Sequence, residues 1–416
     1  MIDLCSQEVE PLLSVDAALA TIKAAVYAVE ESEKVVLKNA LGRVLSEPVY
    51  SAINSPHDRN AAMDGYAFSS HDISHEQPFT LSLAGASWAG RPFTGLLQPG
   101  QCIRIFTGAV VPVFADSVVM QEHVQVNGQT ICFSANTPTG QHIRQVGEDV
   151  KQGDLVLAYP KKLNAIDLGL LASAGIDEVT VKRPVRIAFF STGDELTALG
   201  QPLASGQIYD SNRYTLSGLL TDACYCVTDK GVIADNRQLL EDSFIEAAKN
   251  HDVIITTGGA SVGEADYVKE ILERCGNVNF WKLAIKPGKP LAFGKIGNCC
   301  FFGLPGNPVA VIVTFKYLVA PALRQLSGAP EAKSLQLTAT CTTPLKKAPG
   351  RQDYQRGILS QDKTGEFFVA SSGKQSSNIL SSMSLANCYI VLPTECTGVK
   401  VGDKVRVDLI GDVELI

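Results

Sequence analysis

The sequence predicts a multidomain α/β protein: a central doubly wound parallel sheet, joined by a β-rich insert, an extended α+β segment and a small C-terminal β-barrel. Three observations predict it. From 183 to 329, strand-length apolar runs alternate with amphipathic helical patterns, and such alternation means a parallel sheet covered on both faces. From 51 to 139 the texture changes to short strands broken by Gly, Pro and Asn. After Leu326-Ser327-Gly328 the helical pattern stops, and five short strands with turns between them suit a small barrel or sandwich. A chain of 416 residues has room for such a set.

In chain order, Ser14 caps a helix over 15–30, with Val15, Leu19, Ile22 and Val26 on one face. EKVVLKNALGRVLSEPV is an extended connection with a turn at Leu41-Gly42. In SPHDRNAAMDGYAFSS, Asp58, Arg59, Asn60 and Asp64 crowd a loop before a strand at 65–68. Turns use such residues routinely, but Ala61-Ala62-Met63 suggests a loop packed down and presenting Asp64. CIRIFTGAVVP places Thr107-Gly108 after a strand, and DSVVMQEHVQV reads as one alternating strand. HIRQVGEDVKQGDLVLAYPKKL reads as strand, turn, strand, with Glu148-Asp149 on an exposed acidic turn. A helix over 166–173, stopped by Gly175, precedes a further strand.

VRIAFFSTGDEL then gives strand, Gly turn and acid. A helix follows Asp210, capped by Ser211 or Asn212; a strand ends at Asp235, and NRQLLEDSFIEAAKN is an amphipathic helix. The stretch 252–317 carries the chemistry. Its residues 253–255 are β-branched, as in a strand buried on both faces. The turn 256–263 is Gly-rich and opens a helix over 264–275, whose first-turn N–H groups lack intrahelical acceptors and suit an anion. Asp266, just inside that helix, can hold a cation against a bound phosphate. KLAIKPGKP clusters Lys282, Lys286 and Lys289, and FFGLPGNP makes a second strand-to-helix turn with Pro308 at the first helical position.

Ligands of parallel sheets bind beyond the carboxyl ends of the strands. Those ends carry Thr192, Asp194, Glu195, Asp235, Thr257, Gly258, Gly259 and the LPGNP turn. Singly, the glycines are ordinary turns and the lysines a solvated edge; together they mark a pocket for a phosphorylated ligand and a divalent cation. Arg351, Arg356, Lys374, Ser376 and Ser377 are the polar candidates of the C-terminal domain, and read as solvated decoration unless that domain faces the pocket.

A net charge of −7 argues against general nucleic-acid affinity. No apolar stretch reads as long enough to span a bilayer, and MIDLCSQEVEP lacks a secretory pattern, so a cytoplasmic protein without membrane partners is expected. Eleven cysteines show no C-x2-C pair, and the six histidines come near one another in sequence only as His71 and His75, with no cysteine pair beside them, which points to reduced structural thiols and away from zinc. On residues alone, the reading is an enzyme for a phosphate ligand using a divalent cation.

TTGGASVGEADYV, KLAIKPGKPLAFG and GLPGNPVA, in that order, resemble the molybdenum-cofactor enzymes. The match extends upstream through AMDGYA, RIFTGAVVP, GEDV, STGDEL and GQIYDSN, and downstream to YQRG and SSNILSSM, over nearly the whole chain. The sequence is similar to the molybdopterin molybdenumtransferase family, whose eukaryotic relative is the E domain of gephyrin. The resemblance implies four domains: an extended α+β dimerisation domain (1–50 plus 140–182), the insert (51–139), a molybdopterin-binding α/β domain (183–329) and the barrel (330–416). It implies Mg2+-assisted insertion of molybdate into adenylated molybdopterin with release of AMP. It also implies a homodimer with the active site between subunits, and an upstream molybdopterin adenylyltransferase as a partner.

The resemblance further implies catalytic roles for Asp64, Thr107, Asp149, Glu195, Asp235, Asp266, Lys282, Lys286 and Arg356, with Glu195, Asp235 and Asp266 holding Mg2+. Cofactor binding falls to Asp210, Thr257, Gly258, Gly259, Ser261, Gly263, Lys289, Pro305, Gly306, Asn307, Pro308 and Ser377. Ala260 stands where Val is common, a mild departure. Two other readings stay open: the sibling adenylylation of molybdopterin, and a gephyrin-like scaffold.

Overall fold

The computed structural model describes residues 12–73, 76–258, 267–332 and 335–411. The chain divides into two units. One comprises the chain up to Glu33, Gly42–Val44 and everything from Lys182 onward; the other is Lys34–Leu41 with Leu45–Val181.

In the first unit, every residue of Val185–Thr192 except Arg186 is buried, as is all of Val253–Thr257, which is why both become central strands. The sheet contains β1 (Val185–Thr192), β2 (Tyr225–Ile233), β3 (Val253–Thr257), β4 (Asn277–Lys282), β5 (Pro290–Ile296) and β6 (Cys299–Leu304), in the order β2-β1-β3-β6-β5-β4. The first four in that order run parallel, while β5 and β4 are antiparallel additions at one edge. Only Gly297 and Asn298 separate β5 from β6, and a two-residue hairpin forces an antiparallel pair.

Side chains alternate between two cores. Ile187, Phe189, Ile255 and Phe302 pack with the helices Val15–Ala25 and Pro308–Leu326 on one face. Ala188, Phe190, Ile254 and Phe301 meet Leu240 and Phe244 of Arg237–Asn250 and Ile271 of Tyr267–Cys275 on the other. Burial of each such large side chain contributes about 1.5–3 kcal/mol.

Two helix boundaries differ from expectation. The first helix starts at the Ser14 cap, whose hydroxyl accepts from the Ala17 N–H at 3.2 Å, but ends at Ala25. Val26 is extended, and the Val29 N–H donates to the Leu326 carbonyl at 2.8 Å, so tertiary pairing replaces the last helical turn. Asp210, not Ser211 or Asn212, caps the helix Ser211–Leu219, its Oδ1 accepting from the Arg213 N–H at 3.1 Å.

Five strands form the C-terminal barrel: β7 (Leu337–Cys341), β8 (Gln352–Gln361), β9 (Phe367–Ser371), β10 (Cys388–Leu392) and β11 (Lys404–Leu409). Their order is β8-β9-β7-β11-β10, closed by a β8–β10 pairing. Ile285–Lys286 adds in parallel to the start of β8, with Ile285 opposite Gln352 and Lys286 opposite Asp353. The barrel therefore docks on the segment that carries the clustered lysines.

The second unit holds a six-stranded sheet in which Gly65–Phe68 lies between Ser117–Met120 and Gln101–Ile105. DSVVMQEHVQV, expected as one strand, is two, split by a 3-10 turn at Gln121–His123. The Gln121 N–H donates to the Asp64 carbonyl at 3.1 Å, which turns the chain out of line. Elsewhere in this unit, Leu45, Leu157, Leu171 and Val181 share a small core.

Against expectation, the helix Pro308–Leu326 is long and apolar enough, by length and composition, to cross a membrane; 61% of it is buried within the fold. All ten described cysteines are unbridged, and burial pushes the thiols of Cys102, Cys299 and Cys388 up to about 12.

Candidate functional site

At the carboxyl end of β3 the chain turns at Gly258, with φ +86. A Cβ there would lie 2.3 Å from the Thr192 carbonyl oxygen at the end of β1, so two strand ends approach as only glycine allows. Beneath this turn, buried Thr257 shares a 2.9 Å hydrogen bond with the Ser191 hydroxyl. Gly258 opens onto a cleft of about 560 Å³, whose other walls come from three segments. The loop after Ile285 supplies Lys286 and Lys289, the turn before the helix Pro308–Leu326 supplies Pro305, Gly306 and Asn307, and the barrel supplies Arg351, Gln375, Ser376 and Ser377. Three cations thus face one space beside the Asn307 amide and the Ser377 hydroxyl, a donor set suited to oxyanions.

Each wall is held from behind. Lys286 Nζ lies 3.1 Å from Asp353 Oδ2, and Asp353 is buried and also accepts from Gln355 Nε2 at 3.1 Å. Asn212 Nδ2 donates to the Gly306 carbonyl at 2.8 Å, tying the turn to the helix Ser211–Leu219. The Val309 N–H donates to the Ser377 carbonyl at 3.1 Å, so the barrel loop caps the helix start.

Arg356 is wholly buried and does not line the cleft. Its Nη2 donates to the carbonyls of Lys374 and Ser376 at 2.7 and 3.1 Å, and its Nε to Ser382 Oγ at 3.2 Å. Gln375 bonds the Arg356 backbone in both directions, at 2.8 and 3.0 Å. Burial holds the guanidinium below its ordinary value. Its observed place is under the loop 374–377, which it positions.

An acidic group sits at the neighbouring strand ends. The Asp235 N–H donates to Asp194 Oδ1 at 3.3 Å. Burial raises the Asp235 carboxyl above the usual carboxylate range, and the nearby Asp194 and Glu195 charges raise it further. Glu195 folds over Gly193, where a Cβ would come within 2.5 Å of its carboxylate. Among the described residues, no group of three or more His, Cys, Asp or Glu is placed to hold a metal ion.

The second unit has its own polar group. Asp64 Oδ1 accepts from both the Thr107 N–H (2.7 Å) and the Thr107 hydroxyl (2.8 Å), and these bonds hold the carboxyl below its usual range. Asp149 stands exposed on a turn pinned by its own N–H to the Ser55 carbonyl at 3.0 Å.

Comparison with known proteins adds three family matches: "MoeA N-terminal region (domain I and II)" over 13–175, "Probable molybdopterin binding domain" over 188–325, and "MoeA C-terminal region (domain IV)" over 338–410. A "Molybdopterin molybdenumtransferase" of Haemophilus influenzae is 46% identical, covering 91% of this chain and 94% of that one. The chain belongs to the molybdopterin molybdenumtransferase family. A "Gephyrin" of Dictyostelium discoideum is 34% identical over 92% of this chain and 60% of that protein. A "molybdopterin biosynthesis moeA protein" of Pyrococcus horikoshii superposes at TM-score 0.81 with 28% identity, over 96% of this chain and all of that one.

Of the residues a molybdopterin molybdenumtransferase is expected to use, Gly258, Lys286, Lys289, Pro305, Gly306, Asn307 and Ser377 meet in the cleft. Pro308 heads the helix beside it. Lys282 does not line it; its side chain is exposed at the end of β4, paired with Pro290. Thr257 and the capping Asp210 are buried supports. Gly259, Ser261, Gly263 and Asp266 lie outside the described residues. Arg351 and Ser376, read from sequence as decoration unless the C-terminal domain faces the pocket, line the cleft because the barrel does face it, and Gln375 joins them with no local signal to announce it.

Proposed function

We propose that this chain inserts molybdate into adenylated molybdopterin with release of AMP, and that Mg2+ assists. The observation that carries the reading is the cleft at the strand ends, where Lys286, Lys289 and Arg351 converge beside Gly258 and the Pro305–Asn307 turn. Molybdate is a tetrahedral dianion, and the phosphoanhydride that must break is anionic too. Both need fixed cations and N–H donors in place before charge develops. Lys286, steadied by buried Asp353, is held in place for either oxyanion. The barrel hydroxyl of Ser377 offers a short donor that orients it, while the Ser376 hydroxyl is donated to Asn378 Oδ1 and presents an acceptor.

Two carboxylates near the strand ends, Glu195 and Asp235, are the donors we assign to Mg2+. Desolvation first, and then the charges of Asp194 and Glu195, keep the Asp235 carboxyl raised, a cost that a divalent cation relieves, and Mg2+ requires only one or two protein carboxylates. Glu195 and Asp235 would hold it, with Asp266 as the further ligand expected from the sequence. Bound there, the ion would neutralise charge on the substrate phosphates. No protein nucleophile is assigned, because the metal-accepting sulfurs belong to the cofactor itself.

The reading also makes the protein a cytoplasmic homodimer, in which Asp64 and Thr107 of one copy serve the cleft of the other, and in which an upstream adenylyltransferase delivers the labile substrate. Unbridged cysteines favour a reducing compartment.

The test is AMP release by full-length protein given adenylated molybdopterin and Mg2+, with and without molybdate. AMP should appear only with molybdate, and Lys286→Ala should slow it by roughly tenfold or more, as loss of a charge-stabilising donor does. Failure to release AMP overturns the reading. Consumption of ATP with unadenylated molybdopterin would replace it by the adenylyltransferase.

A further inference from the structure

The second unit ends one of its sheets in a stack of flat groups that the reaction described so far does not use. Trp88 lies on Phe106, with ring centroids 3.9 Å apart and planes at 15°. The Arg104 guanidinium sits 4.9 Å from the Phe106 ring and 5.1 Å from that of Tyr66, and donates to the Gly65 carbonyl at 3.3 Å and to Gln121. Tyr66, Arg104, Phe106 and Trp88 are thus linked in series. Trp88 is fixed by reciprocal backbone bonds with Arg91, at 3.0 and 2.9 Å, and the Phe106 N–H donates to the Ser87 carbonyl. The series ends in an indole that is 45% exposed.

A scattered exposed aromatic needs no explanation. This one is rigid and stacked, and it is joined through Phe106 to Thr107, the residue that holds Asp64. A pre-ordered indole face loses little freedom when a second ring stacks on it. Both bonds from Thr107 fall on Asp64 Oδ1, and Oδ2 has no partner among the described residues. A carboxylate only accepts. Its free Oδ2 therefore suits a ring edge that presents donors and no acceptor, as the 2-amino-4-oxopyrimidine edge of a pterin does (N3–H and the 2-amino group). Adenine offers one donor beside an acceptor, a poorer match.

We propose that Trp88 stacks the pterin ring of the substrate while Asp64 accepts from its aminopyrimidine edge. This rests on the molybdopterin reading above. It makes the second unit a pterin subsite, separate in chemistry from the oxyanion cleft.

Equilibrium dialysis of free pterin and of AMP against full-length wild type, Trp88→Ala, Trp88→Phe and Asp64→Asn tests it. Pterin affinity should fall by roughly tenfold or more in Trp88→Ala, as loss of one base-stacking aromatic does, and recover in Trp88→Phe. Asp64→Asn should weaken pterin too, and AMP binding should hold in all four. Equal pterin affinity in wild type and Trp88→Ala, or no pterin binding by wild type, overturns the proposal. Loss of AMP in place of pterin assigns the indole to adenine and overturns it as well. In turnover, Trp88→Ala should raise KM more than it lowers kcat. Absence of AMP release by wild type, with Trp88-dependent pterin binding intact, removes the reaction and leaves the subsite standing.

Discussion

Asp235 shows how one carboxyl can be tuned against the stability of its own fold. Its ordinary value is 3.8, and burial first, then Asp194 and Glu195, raise it in the folded state. A raised acid binds its proton more tightly when folded, so its contribution is fully present below 3.8 and is lost as pH rises through the folded value. At neutral pH without Mg2+, Asp235→Asn should therefore melt slightly higher than wild type, by no more than about a few degrees. The gain should vanish in acid. Adding Mg2+ should raise the wild-type melting temperature and leave the variant unmoved. Thermal melts from acid to neutral pH, with and without the ion, check both. A variant that melts lower than wild type in the absence of metal would mean the carboxylate is favourably paired, and would end its assignment as a cation ligand. This pressure was legible only in outline: STGDEL and GVIAD place acids at strand ends, but only the parallel β1–β2 pairing brings them together.

Among elements, the barrel loop 374–377 decides the shape of the cleft, and Arg356 decides the shape of the loop. Its Nη2 bridges the Lys374 and Ser376 carbonyls while Nε of the same rigid plane donates to Ser382 Oγ, a spread of donors that a single ammonium cannot reproduce. Arg356→Lys keeps a charge and most of the volume, so the protein should fold, at a loss of about 1–2 kcal/mol in urea unfolding. Ser376 and Ser377 would then sit loosely, and KM for molybdate should rise while kcat changes little. A fall in kcat at constant KM would instead put Arg356 in contact with the reacting atoms. Local pattern explains why some elements were readable and this one was not. Gly258, the LPGNP turn and the proline at position 308 mark strand-to-helix turns by their own residue types. Arg351 and Gln375 carry no such mark, because their place depends on Lys286 meeting Asp353 across 67 residues of chain. The split of DSVVMQEHVQV was hidden for the same reason, since its two halves pair with different strands.

At the scale of the whole molecule, the polar groups fall into two sets on two units of the chain. Lys286, Lys289 and Arg351 belong to one, and Asp64 and Thr107 to the other. If each active site draws one set from each subunit of a homodimer, defects in the two sets must complement. Lys286→Ala and Asp64→Asn should each be nearly inactive alone. When they are mixed, dissociated and reassembled, about half the dimers become mixed, and each mixed dimer has one site carrying both defects and one carrying neither. Activity should then return to about a quarter of wild type. Should both sets come from the same subunit, every site in every dimer keeps a defect, and mixing restores nothing. Sedimentation of the mixture, run beside the AMP assay, shows whether mixed dimers formed. Mixed dimers without activity would place both sets within one chain.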